Sequence, residues 1–467
     1  MDHFKRSLVL CLIFFLTAGI LFGCKKKTDT ADKEKTKKNA ATGQAVTVSE
    51  AEATEIAEKI VRNMTLNEKV GQMFFVNLNG LNENKTNTRE YTKRMGELIE
   101  RYHLGGVILE EDNFYSREQV QELTRELSQV KDIPLYIGMT EEGGGTYSVA
   151  YQHRDFGYTA YAEPSKVSSY MEEDAFKRMG SNWADECTDL GVNLNLAPKA
   201  ELAHTETPVN EEAVKEAIRS CIGKEPSPPK ISEKTGKKKQ KKIWKRYQKA
   251  RKRYFQRRTE LLDKYVVDDY EDRLYGTDAD SVKKITKAIL KGTKGKKVST
   301  VTGVFPGISS VADYHQLVPL SLDTSLSQLR KEDLVSFAGM KKSAGMVLGN
   351  VTMSKLDPEH PLPMSKTIIQ KLIRDEMGFN GFLMTESLQA PSLTNQYTSK
   401  EIVTQMINAG VDVLYDPANI GAAITTVEQA VIFEKIDERL INQAAIRVIR
   451  SKILRGIIEK DYEMEES

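Results

Sequence analysis

The sequence predicts an α/β protein, a (β/α)8 barrel of TIM type with a basic helical insertion in one βα-loop. Short apolar runs bounded by turn residues alternate about eight times with amphipathic segments, which is the pattern of parallel strands joined by crossover helices. About 410 residues lie beyond a polar N-terminal stretch, enough for such a barrel with an insertion. A doubly wound open sheet is the runner-up, and it is weaker because no Gly-rich phosphate loop follows the first strand.

The chain opens with Lys5 and Arg6 and an apolar block from Leu8 to Phe22, a signal-peptide pattern somewhat short for a membrane span. The block ends in Leu21-Phe22-Gly23-Cys24, which resembles the bacterial lipoprotein box. That resemblance implies a signal peptide over 1–23, lipid on Cys24, and a protein held at the extracytoplasmic face of the cell membrane. Residues 24–48 carry many charges and few apolar groups, too few to offset chain entropy, and are expected to form a disordered tether. Residues 49–460 are then the barrel. The formal net charge of +2 names no partner. Cys187 and Cys221 are the cysteines left in that domain, and the sequence leaves their pairing open.

Ala51–Met64 has helical spacing, and Thr65-Leu66-Asn67-Glu68 fits a capping box for a second helix. Candidate strands are Met73–Val76, Gly106–Leu109, Leu135–Met139, Val192–Leu196, Ser299–Val304, Gly345–Leu348, Gly381–Met384 and Val411–Tyr415. Helical segments between them include Arg117–Gln129, Tyr170–Leu190, Asp280–Leu290 and Lys366–Met377. One stretch, about 205–270, breaks the alternation. From Lys224 to Lys264 it sets 17 Lys and Arg against 4 acids. Pro226, Pro228 and Pro229 open it as a loop, and from Lys241 an apolar seam runs through Trp244, Tyr247, Tyr254, Leu261, Leu262 and Tyr265. The segment reads either as a solvated basic helix lying on the barrel or as a surface for anionic envelope polymer or lipid.

The stretch Gly378–Leu388, GFNGFLMTESL, is where chemistry is expected. Its glycine turn feeds a buried strand that delivers Glu386 to the mouth of the sheet, where α/β barrels keep their reactive groups.

Several stretches together resemble glycoside hydrolase family 3, in its bacterial β-N-acetylglucosaminidase branch. They are Thr65–Gly80, Leu104–Glu110, Ile137–Gly144 (IGMTEEGG), Asn193–Glu201 (NLNLAPKAE), Asp272–Gly276 (DRLYG), Val304–His315 (VFPGISSVADYH) and Gly378–Leu388. The resemblance implies retaining hydrolysis of a glycan. Glu386 stands at the nucleophile position, His315 is the acid/base oriented by Asp313, and Glu142, Glu201 and Arg273 lie at the sugar. There are departures from the family pattern. Glu386 replaces Asp and is one methylene longer. Thr140 stands where the family has a sugar-binding Asp, Gly145 where it has an Arg, Gly303-Val304 where it has Lys-His, Ile308 for the second His, and Glu201 for an Asp. These losses point to altered specificity, with an inactive barrel that binds glycan or protein as the alternative. No cofactor, metal or nucleic acid is expected. His103, His153, His204, His315 and His360 are scattered without ligand spacing.

Overall fold

The structure is a computed structural model that describes residues 48–462 apart from 83–86, 131–132, 233 and 268–269. The expected signal peptide over 1–23, Cys24 and nearly all of the expected tether therefore lie outside the described residues. Eight parallel strands close a barrel: β1 Phe74–Asn77, β2 Gly106–Ile108, β3 Tyr136–Met139, β4 Leu194–Asn195, β5 Ser299–Phe305, β6 Gly345–Leu348, β7 Phe382–Ser387 and β8 Val413–Tyr415. The circle closes where β1 pairs with both β2 (Phe75 opposite Gly106) and β8 (Phe74 opposite Leu414). Each strand falls on a segment expected from the sequence, shifted by a few residues at the ends. Apolar runs bounded by turns mark buried parallel strands well, whereas their termini depend on the neighbours they pair with.

The barrel interior is filled by Phe75, Ile108, Tyr136, Leu194, Val301, Phe382, Met384 and Val413. Phe75, Tyr136 and Phe382 form an aromatic triangle with ring centroids 5.7–6.2 Å apart. At the strands' N-terminal end Tyr136 meets Ser299 and Ser451, and burial pushes its phenol up to about 12. That end is a packed base. Outside, the expected helices surround the strands, including Glu50–Asn63, Leu66–Gln72 with the Thr65/Glu68 capping box, Arg117–Leu127, Glu173–Asp189 and Ala279–Gly292. A small sheet of Leu320–Leu322, Val351–Met353 and Asp357–Pro361, not anticipated from the sequence, caps the β5 and β6 loops. Cys187 and Cys221 are separate free thiols.

The insertion leaves after β4, as its place in the chain requires. It contains a helix missed from the sequence, Glu211–Ile222, and the basic helix Lys237–Tyr265. Only the C-terminal end of the basic helix is buried. Tyr265, Leu261 and Leu262 pack with Ala217 and Ile218 against Leu317 and Val318 of the loop after β5. Tyr265 also donates to the carbonyl of Gln389, just beyond β7. The helix is therefore rooted on the face formed by the C-terminal ends of the strands.

Candidate active site

Glu386 owes its position to the turn before β7. Gly378 has a left-handed φ of +60°, and a Cβ at Gly381 would stand 2.6 Å from the Ala344 carbonyl oxygen, so both positions favour glycine. Arg374 donates through Nη1 to the carbonyls of Phe379 and Gly381, each at 2.7 Å, and it ion-pairs with Asp412. Asp412 in turn accepts from the Leu383 amide at 2.8 Å and from Arg447 at 2.7 Å. The strand is thus held at its start. It runs on through Thr385, whose hydroxyl accepts from Tyr415 N, and brings Glu386 to the barrel mouth.

There Glu386 and His315 meet. His315 Nε2 is 2.6 Å from Glu386 Oε1, and both side chains are almost fully buried. Gln316 Nε2 donates to the same oxygen at 3.1 Å, and the Asn350 amide donates to Oε2 at 2.8 Å. His315 Nδ1 donates to the Ala312 carbonyl at 2.6 Å. The acceptor that fixes the ring is therefore a backbone carbonyl, where the sequence resemblance implied the Asp313 carboxylate. Asp313 itself accepts through its backbone carbonyl from Val267 N, at the end of the insertion.

A carbonyl can only accept, so Nδ1 carries hydrogen, and the Nε2–Oε1 contact needs one more proton. Burial alone would raise the Glu386 carboxyl, but the His315 charge and hydrogen bond, the Asn350 amide and Lys199 outweigh it and hold the pKa below the usual range. Burial alone would lower His315, but the Glu386 charge and hydrogen bond and the Ala312 carbonyl raise it. Both shifts favour the charged forms, an imidazolium against a carboxylate.

Around it lie Glu142, Lys199, Glu201, Tyr270 and Arg273. Glu142 and Arg273 form a buried ion pair, with the guanidinium 3.4 Å from the centroid of the Tyr147 ring. Glu201 has no exposed surface. Its Oε1 accepts from Val304 N at 2.9 Å and the Tyr270 hydroxyl at 2.6 Å, and its Oε2 accepts from Ile308 N at 2.9 Å. The resemblance placed Glu142, Glu201 and Arg273 at a sugar. In the structure their polar atoms face protein, and Glu201 clamps the loop that carries His315.

Sequence reasoning missed three groups. Lys199 is 7 % exposed, donates to the Tyr270 hydroxyl at 3.2 Å and stands 3.8 Å from Glu201. Its backbone pairs across the sheet with that of Gly303, the position where the sequence lacks the family's lysine. Burial lowers its pKa. A lysine in the middle of the Asn193–Glu201 strand motif was the available signal. Asn350, two residues past β6, is buried, and neither side-chain amide atom has a hydrogen-bond partner among the described residues. His204, Glu332 and Asp333 converge within 4.8 Å in a loop beside the site, with His204 Nε2 3.0 Å from Asp333 Oδ1. Here the fold joins residues far apart in sequence. The His–Asp bond accounts for the contact, and Asp333 raises the His204 pKa.

The glycosyl hydrolase family 3 N-terminal domain model matches residues 65–220 and 267–451. The chain belongs to glycoside hydrolase family 3. The unmatched interval, 221–266, contains the basic helix, so that helix is an addition to the family 3 barrel. Among family relatives, a β-hexosaminidase of Idiomarina loihiensis is 23% identical over 331 residues, covering 70% of this chain and 80% of that protein. β-Hexosaminidase A of Pseudoalteromonas piscicida is 22% identical over 77% of this chain, and the chain spans only 54% of its length. Solved structures of similar fold include the β-N-acetylhexosaminidase of Beutenbergia cavernae, with a TM-score of 0.62 at 19% identity, covering 83% of this chain and 98% of that one. The β-N-acetylglucosaminidase of Paenibacillus sp. gives a TM-score of 0.64 at 20% identity over 86% of this chain and 65% of that one.

Proposed function

We propose that this family 3 protein is a retaining glycosidase of β-N-acetylhexosaminidase type with altered specificity, lipid-anchored through Cys24 and acting on cell-wall or other glycans. The observation that carries the proposal is the His315–Glu386 contact at the barrel mouth. It joins a carboxylate and a proton donor in the charge states that the first step of retaining hydrolysis needs. Glu386 attacks the anomeric carbon while the glycosidic C–O bond breaks. Its electron pair goes to the leaving oxygen, which takes the Nε2 proton of His315. Neutral His315 then accepts a proton from the water that attacks the same carbon, and Glu386 is released.

The two groups are too close for a sugar to sit between them, since catalytic pairs in retaining glycosidases stand roughly 5 Å apart. Substrate entry therefore requires His315 to swing away from Glu386. The unpartnered Asn350 amide and the Lys199 ammonium are the polar groups best placed to receive sugar hydroxyls or an acetamido group. One observation favours the alternative, an inactive barrel that binds glycan or protein: the site's charges already neutralise one another, Glu142 by Arg273 and Glu386 by His315.

Aryl N-acetyl-β-hexosaminides and muropeptide fragments test the proposal, with Glu386→Gln and His315→Gln as blanks. Weak hydrolysis lost in both variants is expected, together with a fluorosugar adduct on Glu386 detected by mass spectrometry. Glycan binding without turnover, equal in wild type and Glu386→Gln, would leave the binding module. Mass spectrometry of the native protein tests the anchor. An unmodified Cys24, or a mature chain starting elsewhere, removes it.

A further inference from the structure

The basic helix is the largest feature that the proposed hydrolysis does not use. From Lys237 to Arg258 it carries 13 Lys and Arg and no acid, and all 13 are exposed. At about 1.5 Å per residue the 29-residue helix is roughly 43 Å long. Its C-terminal turns alone are rooted in the barrel, so most of it stands clear of the fold. Its apolar groups are not scattered. Trp244 and Phe255, 43 % and 38 % exposed, lie 11 residues apart, about three turns, and so project from the same side. Arg251 lies over the Phe255 ring at 5.0 Å on that same side. Adjacent to this stripe runs the half-buried seam of Ile243, Tyr247 and Tyr254, and the basic residues occupy the rest of the circumference.

We infer that Lys237–Tyr265 docks on the surface of a bilayer rich in anionic phospholipid, with Trp244 and Phe255 seated at the headgroup–acyl boundary and the flanking lysines and arginines among the phosphates. A Lys/Arg-rich helix with exposed aromatics on one side is the form of an interfacial helix. A linear phosphate polymer would account for the charge but not for two large aromatic side chains left in water on one side of a convex helix. This inference does not depend on hydrolysis. Its consequence for the barrel is positional: Tyr265 is bonded to Gln389 beside the end of β7, so docking would hold the mouth near the membrane surface.

The sequence contains two tryptophans, and Trp183 is 1 % exposed in the core, so Trp244 reports on the helix alone. Full-length protein is titrated with vesicles of phosphatidylglycerol in phosphatidylcholine and with pure phosphatidylcholine. Whatever the N-terminal segment does on either vesicle, the readout is local to Trp244. The expected result is a blue shift of Trp244 emission and quenching by brominated acyl chains on the anionic vesicles only, both reduced by high salt. Lys241→Gln/Lys245→Gln/Lys249→Gln/Lys252→Gln keeps the reporter and should weaken this response by roughly 600-fold, since each of the four basic residues near an anionic surface contributes about fivefold. These residues are exposed, so the melting temperature should not move. An emission spectrum indifferent to anionic lipid, or a shift produced by inorganic polyphosphate but not by vesicles, would overturn the inference.

Discussion

Glu201 is the residue whose expected and observed roles diverge most, and Glu201→Gln separates them. The carboxylate accepts from two backbone amides and a tyrosine hydroxyl, with the Lys199 ammonium 3.8 Å away. An amide in its place keeps one acceptor oxygen but turns an NH2 toward a donor. One buried N–H loses its partner, and the charge-assisted share of the remaining bonds is lost. Hydrogen bonds to a charged group are worth about 1.5–3 kcal/mol each, so a net cost of about 3 kcal/mol is expected. For a domain of this size that corresponds to a fall of roughly 4 °C in Tm, and Glu201→Ala should cost more because it removes every acceptor. Val304 and Ile308 bracket the start of the loop that carries His315, so loosening it should lower kcat more than it raises KM. Calorimetry and hexosaminide kinetics on the same preparations decide. A Tm within about 1 °C of wild type together with a KM raised tenfold or more would make Glu201 a sugar ligand and refute the clamp.

The His315–Glu386 pair sets a pH window. His315 is raised above the ordinary histidine value of 6.5, so its contribution is complete below that value and is lost as pH rises through the folded pKa. Glu386 is lowered below 4.5, so its contribution is present above that value and is lost as pH falls through the folded pKa. Denaturation of wild type and Glu386→Gln should therefore differ most between pH 4.5 and 6.5 and converge on either side; a difference independent of pH would count against the ion pair. Burial, then the neighbouring Glu141 carboxylate, pushes Glu186 up to about 10, so the native state loses stability as pH rises from 4.5 toward that value. Glu186→Gln should melt higher than wild type at pH 8, by roughly 1–3 kcal/mol, with the gap closing in acid; an unchanged Tm would refute the burden assigned to this carboxyl. Asn350→Ala removes a side-chain amide with no partner among the described residues, so its Tm should stay near wild type while KM for a hexosaminide rises; a large loss of Tm with normal kinetics would show that the amide serves the fold.

The eight strands, the Thr65 capping box and the place of Glu386 at the end of the seventh strand were legible in the sequence because they depend on local pattern. Buried parallel strands read as apolar runs, a capping box spans four residues, and a glycine turn sets where a strand begins. The same locality explains why the basic helix was visible from Lys241 onward, while Glu211–Ile222, only weakly buried against its neighbours, was not. Which polar groups meet was decided by the closed barrel. The backbone carbonyl of Ala312 takes His315 Nδ1, Lys199 reaches the Tyr270 hydroxyl, His204 finds Asp333, and Glu201 turns inward as a clamp. Each of these joins atoms through loop geometry or across strands, and a buried polar side chain takes whichever partner the packing brings within about 3 Å. A resemblance can name the position of a side chain, but its partner depends on the surrounding chain, and around Glu386 that chain includes segments well over a hundred residues apart.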